Sequence, residues 1–266
     1  MTNRPQTKRQ NSRVKGLDPA EDQGLFSFPD TYLLIGVDEV GVACLSGPVV
    51  AAAFARPIEK GVHYPSAPEG ALVADSKVLS ESQRKKTLSS LKKASYGFWG
   101  LGQASVLEID RLNILHASGL AQLRAVRDLW NHLPEDLKSL PCGIVVDGNR
   151  VSHFWRELEM RIPAQVKAVV KADAKHFVVA AASIQAKDFR DDHMSQLAKS
   201  FPDFGWEQNV GYPTPLHKEV LERLGPTPHH RYSFAPVREA VSLHGLCRVQ
   251  SSDESSTENR FVKAAE

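Results

Sequence analysis

An apolar run ending in two adjacent acids constrains this chain more than any other feature: Leu33-Leu34-Ile35-Gly36-Val37 leads straight into Asp38-Glu39-Val40-Gly41. Such a run reads as a buried strand, and two carboxylates at its end bring charge to the edge of a core, where it needs a partner. Adjacent acids are common on solvated surfaces, so the pair alone says little. The pattern repeats, however. Cys142-Gly143-Ile144-Val145-Val146 ends in Asp147 before the turn-forming Gly148-Asn149, and Val166-Lys167-Ala168-Val169-Val170-Lys171-Ala172 closes on Asp173, where an Ala-rich helical segment begins.

Sites in α/β proteins gather at the carboxyl ends of parallel strands, so Asp38, Glu39, Asp147 and Asp173 can converge although they are distant in sequence. Such a set of hard oxygen donors points to Mg²⁺ or Mn²⁺. Zinc is the weaker candidate, because Cys44, Cys142 and Cys247 show no paired spacing and no His-x-x-x-His accompanies them. No Gly-x-x-x-x-Gly-Lys-Ser/Thr loop is present to cradle a nucleotide.

Apolar patterning predicts strands near 32–38, 47–55, 96–103, 142–147 and 165–171, the first two antiparallel, with the first and fourth side by side. Capping boxes at Ser80/Gln83 and Ser105/Glu108 open two helices. Along the second, Leu112, Leu115, Gly119, Leu123, Val126 and Trp130 form a stripe expected to pack on the sheet. A third helix is expected from about Ala174 to Lys199, its positive N-terminal end near Asp173 favouring phosphate. Asp188, Asp191 and Asp192 share that helix with Lys187 and Arg190 and read as a solvated face.

The formal net charge of +2 does not announce nucleic-acid binding, so any basic patch must be local. The longest apolar stretch, near 43–55, is too short to span a bilayer and is broken by Ser46 and Pro48; no secretory signal follows Met1. A cytoplasmic protein with no membrane partner is expected. Residues 1–30, with Arg4, Lys8, Arg9, Arg13 and Lys15, read as a flexible polar arm, 31–249 as one catalytic domain, and the Ser- and Glu-rich 250–266 as a disordered tail.

Several motifs in one order resemble ribonuclease HII: Gly36-Val37-Asp38-Glu39-Val40-Gly41, Leu45-Ser46-Gly47-Pro48-Val49-Val50, Asp75-Ser76-Lys77, Ile109-Asp110-Arg111-Leu112-Asn113-Ile114-Leu115, Val146-Asp147-Gly148-Asn149, Lys171-Ala172-Asp173, Ala182-Ser183-Ile184-Gln185-Ala186-Lys187, Gly211-Tyr212 and His229-His230-Arg231-Tyr232-Ser233-Phe234. The likeness runs from about residue 31 to about residue 240. It implies a ribonuclease H-like mixed five-stranded sheet flanked by helices, with a helical C-terminal extension, in a monomer. It makes Asp38, Glu39, Asp147 and Asp173 metal-binding catalytic carboxylates. The implied activity is cleavage of the RNA strand of RNA/DNA hybrids, and incision beside ribonucleotides embedded in duplex DNA, leaving 3′-hydroxyl and 5′-phosphate ends.

The resemblance also assigns substrate contacts. Lys77 would meet a phosphate near the site, although unaided it reads as a solvated charge. Tyr212 would stack on the deoxyribose beyond the ribonucleotide, although beside Gly211 and Pro213 it could simply pack a loop. Family members usually carry a Gly-Arg-Gly turn whose backbone touches the 2′-hydroxyl; here it reads Gly41-Val42-Ala43, which keeps the amides and loses a guanidinium, so relaxed reading of a lone ribonucleotide is expected. His229-His230-Arg231 lies in a turn that could support the site or touch phosphate, and His176 is either an outer-shell group or surface-exposed. A hybrid-binding protein without catalysis, or a metal-dependent DNA nuclease on the same fold, is the alternative.

Overall fold

Two long apolar stretches, buried on both faces, build the frame. In the computed structural model, which describes residues 14–28, 30–62, 67–153, 155, 162–249 and 260–263, β1 (Thr31–Val40) pairs antiparallel with β2 (Val49–Glu59), Thr31 opposite Glu59 and Val40 opposite Val50. α1 (Glu81–Lys93) and α2 (Val106–Leu112) open on the expected capping boxes, with β3 (Phe98–Ala104) between them. α3 (Ile114–His132) and the short α4 (Glu135–Lys138) lead to β4 (Cys142–Asp147) and β5 (Ala164–Val169). α5 (Phe177–Ser200), α6 (Trp206–Asn209), α7 (Pro215–Leu224) and α8 (Ala235–Leu243) complete the helical part. The five-stranded sheet runs β3-β2-β1-β4-β5, with β1, β4 and β5 mutually parallel and β2 antiparallel to both neighbours. This is the mixed, helix-flanked sheet that the resemblance implies.

Alternation along β1 feeds two cores. Leu33, Ile35 and Val37 face α3, which crosses β2 and β3, while Tyr32 and Leu34 face α5, which crosses β1 and β2 on the other side. Burial on both faces explains why these strands read as continuous apolar runs. Gly36 lets α5 come close: a Cβ there would lie 2.3 Å from the Val178 carbonyl carbon. A third cluster, of Leu45, Met194, Phe204, Trp206, Val220 and Val237, joins the end of α5 to the C-terminal helices.

Several expectations change. The helix opening at Ser105 does not run on to Trp130: Asn113 takes a left-handed φ of 67° and its side chain caps Leu115 and His116, splitting α2 from α3. The face of α3 turned to the sheet carries Ala117, Ala121, Ala125 and Leu129 beside the expected Leu123 and Val126, whereas Leu115 is 72% exposed. Asp191 is not part of a solvated face; it pairs with Arg84 at 2.8 Å and with Lys187 at 2.7 Å, tying α1 to α5. Strand ends shift by a few residues, most at the second, which runs on to Glu59, while β5 stops at Val169.

The expected arm over 1–30 is folded in its second half; residues 1–13, with Arg4, Lys8, Arg9 and Arg13, lie outside the described residues. Phe26 is buried against the sheet, and a 3₁₀ turn over Pro19–Asp22 delivers Asp22, fully buried, to the start of α5. Its two oxygens accept the N–H groups of Phe177 and Val178, each at 3.0 Å. That helix end is therefore already occupied by a carboxylate and does not offer itself to phosphate. His176 faces the same carboxylate, its Nδ1 3.6 Å from Asp22 with the side chain 15% exposed, so it is neither a surface residue nor directed at the acids. Asp22→Ala should cost about 2–3 kcal/mol, because two buried amides lose a charged acceptor. Calorimetry should then show the melting temperature about 5–10 °C lower.

The expected disordered tail over 250–266 also contains structure: Arg260–Lys263 pairs antiparallel with Leu246–Val249 in a separate two-stranded sheet, the rest of that segment lying outside the described residues. Among the described residues no helix is long and apolar enough to cross a membrane.

Candidate active site

The parallel pairing of β1 with β4, Val37 opposite Val146, brings Asp38 and Asp147 to neighbouring strand ends. Asp173 arrives differently from the strand-end position expected. After β5 the chain turns through a left-handed Lys171, φ 56°, into a 3₁₀ turn over Ala172–Ala174 that carries Asp173. Asp147 Oδ1 accepts the Ala172 N–H at 2.7 Å, so one acid fastens the turn that presents another. The carboxylates come close enough that Glu39, Asp147 and Asp173 each disfavour charge on Asp38.

Burial comes first and neighbouring charge second in pushing the Asp38 carboxyl well above the usual carboxylate range; it is 6% exposed. Ser183 on α5 donates to Asp38, and Ser76 lies 2.8 Å from the Ser183 hydroxyl, so Ser76 donates onward in a short chain. Glu39 is likewise raised by burial, which outweighs donation from Gln122 at 2.6 Å and from Ser118. Asp173, 3% exposed, meets Lys77 Nζ at 2.9 Å.

Each acid is thus turned to a protein donor. Among the described residues no three acid, histidine or cysteine side chains already form a ready shell for an ion, so binding one means exchanging those partners. The donor set still fits a hard divalent cation. It is all oxygen, partly or fully buried, and carries more negative charge than Lys77 can balance, which is the imbalance a divalent ion offsets.

Gln122 and Ser118 were not singled out in the sequence. Their signal was two polar residues at i, i+4 on a face of α3 that otherwise packs as core. Gln122 in turn accepts from the buried Trp155 indole at 3.3 Å, which fixes its amide toward Glu39. Gln122→Ala should lower affinity for an activating divalent ion by about tenfold by freeing Glu39 to rotate, as read from activity against Mg²⁺ concentration.

A cleft of about 360 Å³ runs from Glu39 and Asp147 past Val42, Leu115 and Gln122 to Arg150 and His153. The exposure of Leu115 is explained by its place here. Gly41, φ 91°, opens a turn closed by Cys44 N–H to the Gly41 carbonyl at 3.4 Å. Val42 and Ala43 both stay outside the left-handed region, so this turn accepts residues with a Cβ. Tyr212 is 40% exposed, on a loop joined to the segment after this turn by the Leu45 N–H, which donates to the Gly211 carbonyl at 2.8 Å.

His230 and Arg231 do not touch the surface. Both are fully buried, and His230 joins a network in which its Nε2 meets His217 Nε2 at 3.1 Å while His217 Nδ1 meets the Tyr212 carbonyl at 2.9 Å. Burial holds both imidazoles below their ordinary value of 6.5. Folding therefore favours their neutral forms, and below that pH unfolding takes up protons. Stability should fall as pH drops beneath 6.5, by up to about 1.4 kcal/mol per unit for each ring, and thermal melts of His230→Phe should show a shallower fall.

Comparison with known proteins identifies the family. The family model for ribonuclease HII matches residues 35–237. Ribonuclease HII of Granulibacter bethesdensis is 44% identical over 229 residues, covering 84% of this chain and 95% of that protein. That of Paracoccus denitrificans is 47% identical over 206 residues, covering 77% and 86%. Among solved structures, the ribonuclease H2 of Pyrococcus horikoshii OT3 superposes with a TM-score of 0.57 at 27% identity, covering 79% of this chain and 97% of that one. With its sheet order, its clustered acids and a family match spanning most of its length, the chain belongs to the ribonuclease HII family, the endoribonucleases that act on RNA/DNA hybrids.

Proposed function

We propose that this protein cleaves the RNA strand of RNA/DNA hybrids and incises 5′ to ribonucleotides embedded in duplex DNA by two-metal-ion hydrolysis, leaving 3′-hydroxyl and 5′-phosphate ends. Asp38, Glu39, Asp147 and Asp173 are the residues that would hold the ions, Mg²⁺ or Mn²⁺. When bound, such ions activate the attacking water and stabilise charge on the departing 3′ oxygen. The observation that carries the reading is the placement of these carboxylates together, at the neighbouring ends of β1 and β4 and in the turn after β5 that Asp147 fastens.

The chain's own groups then have distinct tasks. Gln122 and Ser118 orient Glu39, while Ser183 orients Asp38. Lys77, held on Asp173 with its side chain 72% exposed, is free to exchange that partner for a substrate phosphate. Gly41, Val42 and Ala43 offer backbone to the ribose, since the 2′-hydroxyl alone marks RNA. Tyr212 gives a ring to stack on the following deoxyribose without base preference. With valine where the family's usual turn has arginine, reading of a single ribonucleotide is relaxed rather than abolished. In this reading the protein works as a monomer in the cytoplasm.

The test is to incubate the protein with Mg²⁺ and then Mn²⁺ on a duplex carrying one ribonucleotide, on a matched RNA/DNA hybrid and on all-DNA duplex. Rates and cut positions are compared. Cleavage of the hybrid, and incision 5′ to the lone ribonucleotide, is the expected result. Cutting of all-DNA duplex would replace the reading with a DNA nuclease, and binding without cutting would replace it with a hybrid-binding protein.

A further inference from the structure

Two buried guanidiniums tie the recognition turn to the loop that carries Tyr212. Arg190, on α5, donates from Nε to the Pro48 carbonyl at 3.0 Å, from one Nη to Ser46 at 3.0 Å and from the other to Val210 at 2.8 Å. Arg231 donates from Nε to Gly47 at 3.0 Å and from its two Nη to Val42 at 3.0 Å and Pro48 at 3.2 Å. Both are fully buried, and they share the Pro48 carbonyl. The backbone adds Leu45 N–H to Gly211 and Arg231 N–H to Leu45, each at 2.8 Å. Gly41 is required for the approach, because a Cβ there would lie 2.2 Å from Arg190 Nε.

Burying two like charges against carbonyls is an expensive way to fill space, and an aliphatic side chain would pack the volume without that penalty. What only a guanidinium supplies is a rigid fork that captures several carbonyls in fixed directions. Direction matters at Val42. The carbonyl of Val42 and the N–H of Ala43 belong to one planar unit and point opposite ways. With the carbonyl drawn inward by Arg231, the Ala43 N–H is turned outward, at an exposed residue on the rim of the site.

We propose that Arg231 is a positioning residue for ribose recognition: its hold on the Val42 carbonyl presents the Ala43 N–H to a substrate 2′-hydroxyl, while Arg190 fixes the spacing between that turn and Tyr212. This rests on the reading of Gly41–Ala43 and Tyr212 given above. The pair works as a ruler for one nucleotide step. A lone ribonucleotide must meet both ends of it, whereas a hybrid offers a 2′-hydroxyl at every step and tolerates a loosened turn.

The test compares wild type with Arg231→Lys and Arg190→Lys on the single-ribonucleotide duplex and on the hybrid. Lysine keeps the charge and loses the fork. The ratio of kcat/KM for the lone ribonucleotide over that for the hybrid should fall about tenfold, chiefly through KM, with hybrid cleavage within about threefold of wild type. An equal loss on both substrates, or an unchanged ratio, would overturn the proposal. Should a variant fail to fold, the ¹⁵N-labelled wild type still decides: with Ca²⁺ in place of Mg²⁺, the Ala43 amide resonance should shift on adding the ribonucleotide duplex and not on adding its all-DNA counterpart, and equal responses would overturn it. An active wild type with an unchanged ratio in Arg231→Lys removes the clamp alone. A wild type that cuts neither substrate removes the endoribonuclease reading and the clamp with it.

Discussion

Asp38→Asn should reduce cleavage of an RNA/DNA hybrid by about a thousandfold or more while raising the melting temperature. Both effects have one origin. Asp38 is buried and feels the charges of Glu39, Asp147 and Asp173 together, so its own charge opposes folding and suits only a cation. Asparagine keeps the shape and can still accept from Ser183, but it removes that charge. Each kcal/mol of relieved repulsion should add about 2–4 °C to the melting temperature. Single-turnover cleavage and calorimetry on the same preparation test this, and a variant that keeps a tenth of its activity would remove Asp38 from the catalytic set.

The double substitution Val42→Arg with Ala43→Gly should raise the preference for a lone ribonucleotide over a hybrid by about ten- to a hundredfold, the worth of one hydrogen bond to a charged partner. The turn can take the change. Val42 lines the cleft beside Leu115 and Gln122, so a longer side chain there projects along the substrate path. The Val42 carbonyl stays with Arg231 whatever side chain follows. Ratios of kcat/KM for the two substrates measure the effect. An unchanged ratio would mean that discrimination in this chain already resides in the backbone, and the proposed relaxation would be withdrawn.

The sheet and its acids were legible because strand burial is written in local sequence. Apolar runs at 33–37 and 142–146 place two acids at neighbouring ends, and parallel pairing follows from the need to bring them together. What was illegible depends on partners remote in sequence. Asp22 sits in a polar segment that reads as an arm, and only the folded chain shows it capping α5, 155 residues away. Arg231 looks like a turn residue beside two histidines until the loop it grips, some 189 residues earlier, is folded against it. Leu115 fits the apolar stripe by spacing, yet Asn113 breaks the helix before it and rotates it into the cleft. The Ile109-Asp110 motif is explained only in three dimensions: Asp110 accepts the Tyr232 and Ser233 N–H groups and anchors the turn that carries Arg231.

The most direct single measurement is titration of Mn²⁺, followed by electron paramagnetic resonance, into wild type and into Asp38→Asn, Asp147→Asn and Asp173→Asn, each with an uncleavable RNA/DNA hybrid bound. Wild type should take up Mn²⁺ at the site, and each substitution should weaken or abolish that uptake together with cleavage. Uptake equal to wild type in all three variants would refute the assignment of these carboxylates as the metal-binding centre.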